Sequence, residues 1–466
     1  MKKLPMKIST PTSFVVALFA LGSATLHAVD YTWTNGATAL WTATNAWSPT
    51  APTGGPTASD NVIGTTGSNL QLNAGTYNIN NFTATTTTGS TWALQSGATG
   101  ASTLNVAGTF TMDSTKSVFV IRNPGASTGT LTLNAANISV VNTNGTLFLG
   151  NTGDLNSLHA VSVSGSTTVN AGTRLRMNVT NSANLGALTV NGALSLVTTT
   201  NDNISRIVSV TSLSGSGGVN GNAGSGLNSS ATLIINGAST TTFSGVIANG
   251  NNGVVSLTKS GSGVQTLTGN NTFGGAVLVD GGVLALQAAS GAAAGSTTGI
   301  TVATNATLLV AGSNQVNDAA GITLSGGTIR RSSGVGEVFG NLNVTLASFL
   351  DFGSGAAGTL QFQNYSNTGS ALVTVQNFFP GNKLQFTSTS FGTNNLSAFN
   401  FGSSQYSTGT EGSYFTITAI PEPSTYLAAA GLLALLLWPS RSRLLKDAKA
   451  VLGLRAPMRD RLQRRA

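Results

Sequence analysis

Cysteine is absent from the 466 residues of this chain, histidine occurs twice, and Asp, Glu, Lys and Arg together supply only 7% of the side chains. The first absence removes disulfide staples and thiolate metal sites, and with them the small disulfide-framed secreted scaffold. The second removes most acid–base chemistry. His27 lies in an N-terminal leader, and His159, between Leu158 and Ala160 beside a strand-like pulse, reads as a residue on the face of a coil. No Ser–His–Asp set stands out among so many serines. There is no EF-hand loop and no repeated Gly-Gly-x-Gly-x-Asp calcium motif, so neither metal nor cofactor is expected. Low charge also argues against charge-rich disorder, and 11 prolines against a proline-rich or collagen-like chain.

The net charge of +8 belongs to the ends. Between residues 31 and 420, nine basic and nine acidic side chains cancel. Lys2, Lys3 and Lys7 stand at the front, and nine Lys or Arg face three acids after Ile420. Basic runs beside apolar segments orient proteins at membranes. A neutral body without a basic, aromatic-lined groove does not suit nucleic acid, which is not an expected partner.

What fills the chain instead is Gly, with 58 residues, and Ala, Ser, Thr and Asn. From residue 61 to about 347 a short apolar pulse, a turn with Gly, and another pulse recur. Examples are the segments 73–77, 106–110, 143–149, 169–175, 190–196, 279–286 and 324–330, with marker glycines Gly75, Gly108, Gly145, Gly172 and Gly192. Unequal spacing of the markers suggests a solenoid of irregular coils, each packing on its neighbours. Glycine suits a corner where φ is positive, and stacked Asn side chains can ladder between coils. Alternating runs such as Leu-Thr-Leu and Val-Ser-Val read as strands with one face inside. An antiparallel sandwich, or several small β-domains, is the other arrangement this pattern allows. No stretch before residue 426 demands a helix.

The clearest repeat is 257–286, with apolar pulses at Leu257, Val264, Leu267, Phe273, Val277–Leu278–Val279 and Val283–Leu284–Ala285–Leu286 broken by Gly, Asn and Asp. It resembles the autotransporter-associated β-strand repeat of bacterial surface proteins. That resemblance implies rungs of a right-handed parallel β-helix and a cell-surface setting, and implies no reaction.

Residues 1–28 read as a secretory signal peptide. Lys2, Lys3 and Lys7 precede the apolar core 14–21, and Ala28 is the expected last residue removed by the secretion machinery; a plain membrane anchor is the alternative. Trp33, Trp41 and Trp47 then mark a cap over residues 29–60, as in the openings of many proteins with this repeat. A sugar-binding aromatic platform is the competing reading. Residues 348–419 gather Phe and Tyr and read as aromatic-rich last coils or a C-terminal cap.

From residue 420 to 446 comes Pro421–Glu422–Pro423–Ser424–Thr425, the apolar run 426–438, and Arg441, Arg443 and Lys446 as membrane-orienting cations; a basic tail fills 447–466. Motif, apolar helix and basic cluster resemble the PEP-CTERM sorting signal of Gram-negative bacteria. The resemblance implies a short C-terminal transmembrane helix, an exosortase-like membrane protease that cuts at the motif, and passage through the inner membrane to the outer surface or extracellular matrix. The run of 13 residues falls short of the roughly 20 that span a bilayer, and the tail is longer than the family's. A permanent single-pass anchor is the alternative.

The expected protein is therefore an all-β, elongated, exported and non-catalytic one, structural or adhesive, contacting extracellular polysaccharide or matrix proteins. The rival is a carbohydrate-active enzyme, a polysaccharide lyase or hydrolase on a β-helix, which needs converging carboxylates. Candidates are Asp60, Asp113, Asp154, Asp202, Asp280, Asp318, Glu337, Asp351 and Glu411. The charged cluster to inspect is Arg330–Arg331 with Glu337.

Overall fold

The structure is a computed structural model describing residues 28–34, 38–65, 69–85, 92–97, 99–121, 129–150, 158–197, 205–222, 230–250, 253–387, 391, 393–422, 427–428 and 430–433. Short strands and tight turns alternate through it, and each strand pairs with the equivalent strand of the next coil. Pairing is parallel along the body, which rules out the antiparallel sandwich. Leu257 lies beside Val277, Val277 beside Ile300, Ile300 beside Ile322, and Ile322 beside Leu342. The result is an elongated parallel β-solenoid. One 19-stranded sheet runs its length, a 9-stranded sheet faces it in the N-terminal half, and an 8-stranded sheet takes over in the C-terminal half.

The period-two pattern explains why these residues make these coils. In strand Thr130–Val140, Leu131, Leu133, Ile138 and Val140 point inward and are at most 1% exposed, while Thr132, Asn134 and Ser139 stand on the outside. Parallel register then stacks like on like. Trp92, Val118, Leu147, Leu175, Leu194, Val219 and Ile247 form one inner column across the second sheet, and every member is fully buried. Coils differ in length, since Asn105 and Asn134 on adjacent coils are 29 residues apart but Arg330 and Asp351 only 21.

A few buried polar side chains take up backbone groups in the interior. Buried Gln265 accepts the Leu213 N–H at 3.3 Å and donates to the Leu213 carbonyl at 3.1 Å, two coils away in sequence. Asn271 bridges the Ile247 N–H at 2.8 Å and the Ala293 carbonyl at 2.7 Å. Such side chains satisfy backbone groups where the ladder is interrupted.

Glycine's role at the corners differs from expectation. Gly172 has φ +76° and Gly75 +148°, but no positive φ occurs at Gly108, Gly145 or Gly192. What those positions need is room. A Cβ on Gly217 would sit 2.1 Å from the Gly192 carbonyl oxygen, one on Gly245 1.8 Å from that of Gly217, and one on Gly269 1.8 Å from that of Gly245. These four glycines stack in a column at which successive coils touch backbone to backbone.

Both ends depart from the parallel rule. At the start, strand Trp47–Ser48 pairs antiparallel with Asp30–Trp33, whose other edge carries the first parallel coil, Asn61–Gly64. At the finish, Lys383–Thr387 pairs antiparallel with Tyr414–Ala419, which forms a hairpin with the exposed strand Tyr406–Glu411. Two short 3-10 turns, Thr44–Ala46 and Thr393–Ala398, also interrupt the strands.

The expected C-terminal transmembrane helix is not supported. Within the run 426–438 only 427–428 and 430–433 are described as helical. Among the described residues no helix is long and apolar enough to cross a membrane. The physical reason was visible in the length of the run, too short for the hydrocarbon core. The membrane and transmembrane assignments, and the inner-membrane stage of localisation that depended on them, are corrected accordingly. The leader up to residue 27 and the tail 447–466 lie outside the described residues.

Candidate functional site

The outer face of the long sheet offers the most regular chemistry on the molecule. Thr83, Thr111, Ser139, Thr168, Thr189 and Ser214 are successive register partners and form one column of hydroxyls, all half-buried on the outside of the coils. Parallel strands place such neighbours about 4.8 Å apart. The last two hydroxyls are 2.9 Å from each other. Two residues earlier on the same strands runs a second column through Thr109, Asn137 and Ser166, in which the Asn137 Oδ1 accepts the Ser166 N–H at 3.0 Å and its hydroxyl at 2.9 Å.

A third column is an amide ladder. Asn105 donates to Asn78 Oδ1 at 2.7 Å and Asn134 donates to Asn105 at 2.8 Å, so the expected Asn stacking is present. Between this ladder and the hydroxyl columns the strands bulge, with a register shift between Ala135 and Asn137. The bend opens a shallow groove of about 430 Å³ lined by Asn78, Asn105, Asn134, Ser162 and Ser164 together with the apolar Ile79, Val106 and several alanines. No Asp, Glu, Lys or Arg lines it.

Charged groups are placed outside this groove. Lys259 is turned inward, where its Nζ donates to the carbonyls of Ser260, Gly261 and Gly281 at 3.1, 2.7 and 3.2 Å. Burial lowers its pKa. Arg331 is also inside, donating to the Ser332 carbonyl at 2.8 Å and to Asn382 Oδ1, with its guanidinium 5.3 Å from the Phe352 ring centre. The neighbouring Arg330 points out and pairs with Asp351 at 2.6 Å. Asp351 also accepts from Asn377 at 2.6 Å and the Gly353 N–H at 2.9 Å. Burial pushes its pKa up, but these bonds outweigh it and the net shift is downward.

Glu337 completes the sequence-flagged cluster on paper but not in space. Its carboxylate accepts the backbone N–H groups of Gln315 and Val316 at 2.8 and 2.9 Å, inside the coil. Burial raises its pKa to about 7 against the pull of those bonds, and Asp318 pushes the same way. Asp113, Asp280 and Asp318 are exposed at separate corners, while Asp154 and Asp202 lie outside the described residues. His159 meets Asn181 Nδ2 at 3.4 Å on the surface. Among the described residues no group of three or more His, Cys, Asp or Glu could hold a metal ion.

One basic spot breaks the neutral surface. Arg176 lies over Phe148, 5.4 Å from its ring centre, and shares a pocket of about 290 Å³ with Arg174, Ser195 and Asn220. Partial burial and the nearby Arg174 lower the Arg176 pKa. Phe119 stacks on Phe148 at 4.5 Å in the same outward column. Nothing in the sequence pattern had singled out these residues, because Phe119, Phe148 and Arg176 become neighbours only through the coil register.

The tryptophans are not a platform. Trp33, Trp41 and Trp47 are at most 3% exposed and meet edge to face at 4.8 and 5.3 Å. Trp47 Nε1 donates to the Trp41 carbonyl at 3.0 Å, and Gly55 lies so close to the Trp41 indole that a Cβ would be 2.4 Å from it.

Of the sorting-signal residues, Pro421 and Glu422 follow directly on the last strand and Ile420, whose N–H donates to Gln405. Pro423, Ser424, Thr425, Arg441, Arg443 and Lys446 lie outside the described residues. Ala28 is described and exposed.

Comparison with known proteins gives one family match: residues 257–286 fit the passenger-associated-transport-repeat model. No curated protein and no solved structure matches the chain. The matched stretch holds strands of two successive coils, Val255–Lys259 and Val264–Leu267 pairing in parallel with Val277–Val279 and Gly282–Leu286. It lends no support to the PEP-CTERM reading, which rests on residues 420–446. The chain thus carries a short autotransporter-type repeat within a β-solenoid of the kind such passenger domains use.

Proposed function

We propose that this is an exported, non-catalytic structural or adhesive protein, and that its long sheet contacts neutral polysaccharide or neighbouring matrix protein. The observation that carries this reading is the set of in-register columns from Thr83 to Ser214 and from Asn78 to Asn134. A hydroxyl and amide array repeated at one spacing, without charge, suits a polymer that repeats hydroxyls and carries no charge. Parallel strands hold the array rigid, so little conformational entropy is lost on contact.

The test is retention of the purified protein on insoluble neutral polysaccharides, compared with a Thr111→Lys/Thr168→Lys double variant. Retention should be insensitive to salt, because no ion pairs carry it. The double variant should weaken it by about tenfold or more, the ratio that about 1.4 kcal/mol sets. Equal retention of both proteins sinks the reading.

Support against the rival enzyme comes from where the acids sit. Glu337 and Asp351 are taken up by backbone and side-chain donors, and no carboxylate lines the groove. Release of reducing or unsaturated ends from polysaccharide by the purified protein would favour the lyase or hydrolase instead. Processing by an exosortase-like protease at Pro421–Glu422–Pro423 remains part of the proposal through resemblance. A cut there falls beyond the last strand, Tyr414–Ala419, and leaves the solenoid whole. Mass spectrometry of the C-terminal peptide, with and without Glu422→Ala, reads it: a chain still ending at Ala466 in both removes the sorting role.

A further inference from the structure

Among the described residues, Val29 is the first with hydrogen bonds into the fold. Its carbonyl accepts the Asn61 N–H at 2.9 Å, and its own N–H donates to Asp60 Oδ1 at 3.3 Å. Oδ2 of Asp60 takes the Thr57 N–H at 2.8 Å and the Thr57 hydroxyl at 2.7 Å. Asp60 is only 5% exposed, and the ion pairs found among the described residues, Arg330–Asp351 and Lys383–Glu411, do not involve it. A carboxylate buried without a cation is costly unless charge or strong donors compensate. Here Oδ2 is well served, and Oδ1 faces one long contact from the backbone nitrogen of Val29.

That nitrogen is the atom which removal of residues 1–28 would set free. We propose that Val29 is the N-terminal residue of the working protein and that its α-ammonium is the counter-ion of Asp60. The proposal rests on reading 1–28 as a leader with Ala28 its last residue. A signal peptidase adds one water across the Ala28–Val29 peptide bond. Ala28 keeps a carboxylate, and Val29 gains an amine that takes up a proton, the ordinary α-amino pKa being about 7.7–8.0. One neutral donor at 3.3 Å is thereby replaced by a charged group with three, and charge-assisted bonds are shorter and stronger. Ala28, Val29 and Asp30 are exposed, so the bond is open to hydrolysis.

The surroundings suit a single ion pair. Besides Asp60, the titratable groups beside Val29 are Asp30, whose Oδ1 accepts from Asn61 Nδ2 at 2.7 Å, and Tyr31 on the same strand. The strands packed against this one, Asn61–Gly64 and Trp47–Ser48, carry none. Asp60 also closes the turn into the first parallel coil, since its carbonyl accepts the Asn80 N–H at 2.7 Å. Cleavage and closure of the N-terminal cap are therefore coupled through one residue.

Folding then raises the pKa of the amine. Its contribution to stability is fully present below about pH 7.7 and is lost as the pH rises through the higher folded value. The experiment has two readings on the secreted full chain. N-terminal sequencing should start at Val29; a start elsewhere overturns the proposal at its first step. Labelling of the α-amine with an acylating reagent across pH, followed by mass spectrometry, should give a half-titration at least about one unit above 8, returning to about 8 in Asp60→Asn. Because that variant could fold poorly, melting of the wild type before and after N-terminal acetylation is a second measure, and acetylation should lower the midpoint at pH 7. A chain that starts at Val29 but has an ordinary amine titration and an unmoved midpoint keeps the leader reading and overturns the ion pair.

Discussion

Glu337 turns its carboxylate into a bracket for two backbone N–H groups on the preceding coil, at Gln315 and Val316. The site satisfies donors that the interrupted ladder leaves over, yet it buries the charge that does so. Burial dominates and lifts the pKa to about 7. An acid whose pKa is raised by folding binds its proton more tightly in the folded state. The contribution of Glu337 to stability should therefore be most favourable below about pH 4.5 and fall as the pH rises to about 7, by an amount on the order of 3 kcal/mol. Glu337→Gln removes the titration while keeping one acceptor. Urea midpoints at pH 4.5 and pH 8 should differ in the wild type and differ less in the variant. Equal slopes in the two proteins would show that the carboxylate is not the sensor. Burial separates Lys259 and Arg331 from the surface: both are interior cations, Lys259 with its Nζ donating to three carbonyls and Arg331 with its terminal nitrogens donating to Ser332 and Asn382.

At the level of strands and corners, the column Gly192, Gly217, Gly245 and Gly269 decides how closely coils stack. A Cβ on Gly217 would stand 2.1 Å from a carbonyl oxygen, whereas the adjacent Gly218 has nothing within 4 Å. Gly217→Ala should cost about 1–3 kcal/mol, as overpacking does, and Gly218→Ala should stay within about 0.5 kcal/mol. Chemical denaturation of the pair checks it, and matched losses would refute the contact argument. This column also shows what the sequence could and could not disclose. Alternation such as Leu131, Leu133 and Ile138 with Thr132 and Asn134 between them made strands legible, and the solenoid followed from their recurrence. Coil length was less legible, because the marker glycines fall at different stations. Gly75 opens a strand, Gly108 lies at a bulge within Ala101–Met112, and Gly145, Gly172 and Gly192 precede strands of the second sheet. The polar face was legible as composition alone. That Thr111, Ser139 and Thr168 stand in one line depends on which residue meets which across coils of unequal length, and only the register supplies that. The apolar run near the C-terminus was legible as hydrophobic, but hydrophobicity over 13 residues does not make a membrane span.

Taken whole, a stack of parallel coils has two open ends, and each unpaired rung is a template for another chain. The protein closes both with antiparallel pieces. The N-terminal end has Trp47–Ser48 and the three buried tryptophans, and the C-terminal end has the hairpin of Tyr406–Glu411 and Tyr414–Ala419. Before that hairpin, Phe339, Phe362 and Phe386 stack in one column at 5.2 and 5.6 Å, and the antiparallel register sets Phe415 opposite Phe386. Lys383 pairs with Glu411 at 2.7 Å, and Gln385 Nε2 donates to the same carboxylate at 3.1 Å, tying the outer strand across the inner one. The direction of the final strands matters more than their sequence. The hairpin places Tyr414–Ala419, which runs against the coils, between Lys383–Thr387 and the outer strand Tyr406–Glu411, so a coil from a second molecule finds no parallel Lys383–Thr387 edge to continue. Removing residues 406–419 should therefore leave Lys383–Thr387 as a bare parallel edge beside exposed Phe386. The shortened chain should associate end to end, giving concentration-dependent oligomers in size-exclusion chromatography and rods of multiple length by electron microscopy. The intact protein should scatter as a single rod, with strand-rich circular dichroism. If the shortened chain stays monomeric and folded at the same concentration, the hairpin is not what keeps the solenoid from growing, and the block must lie at the tryptophan end.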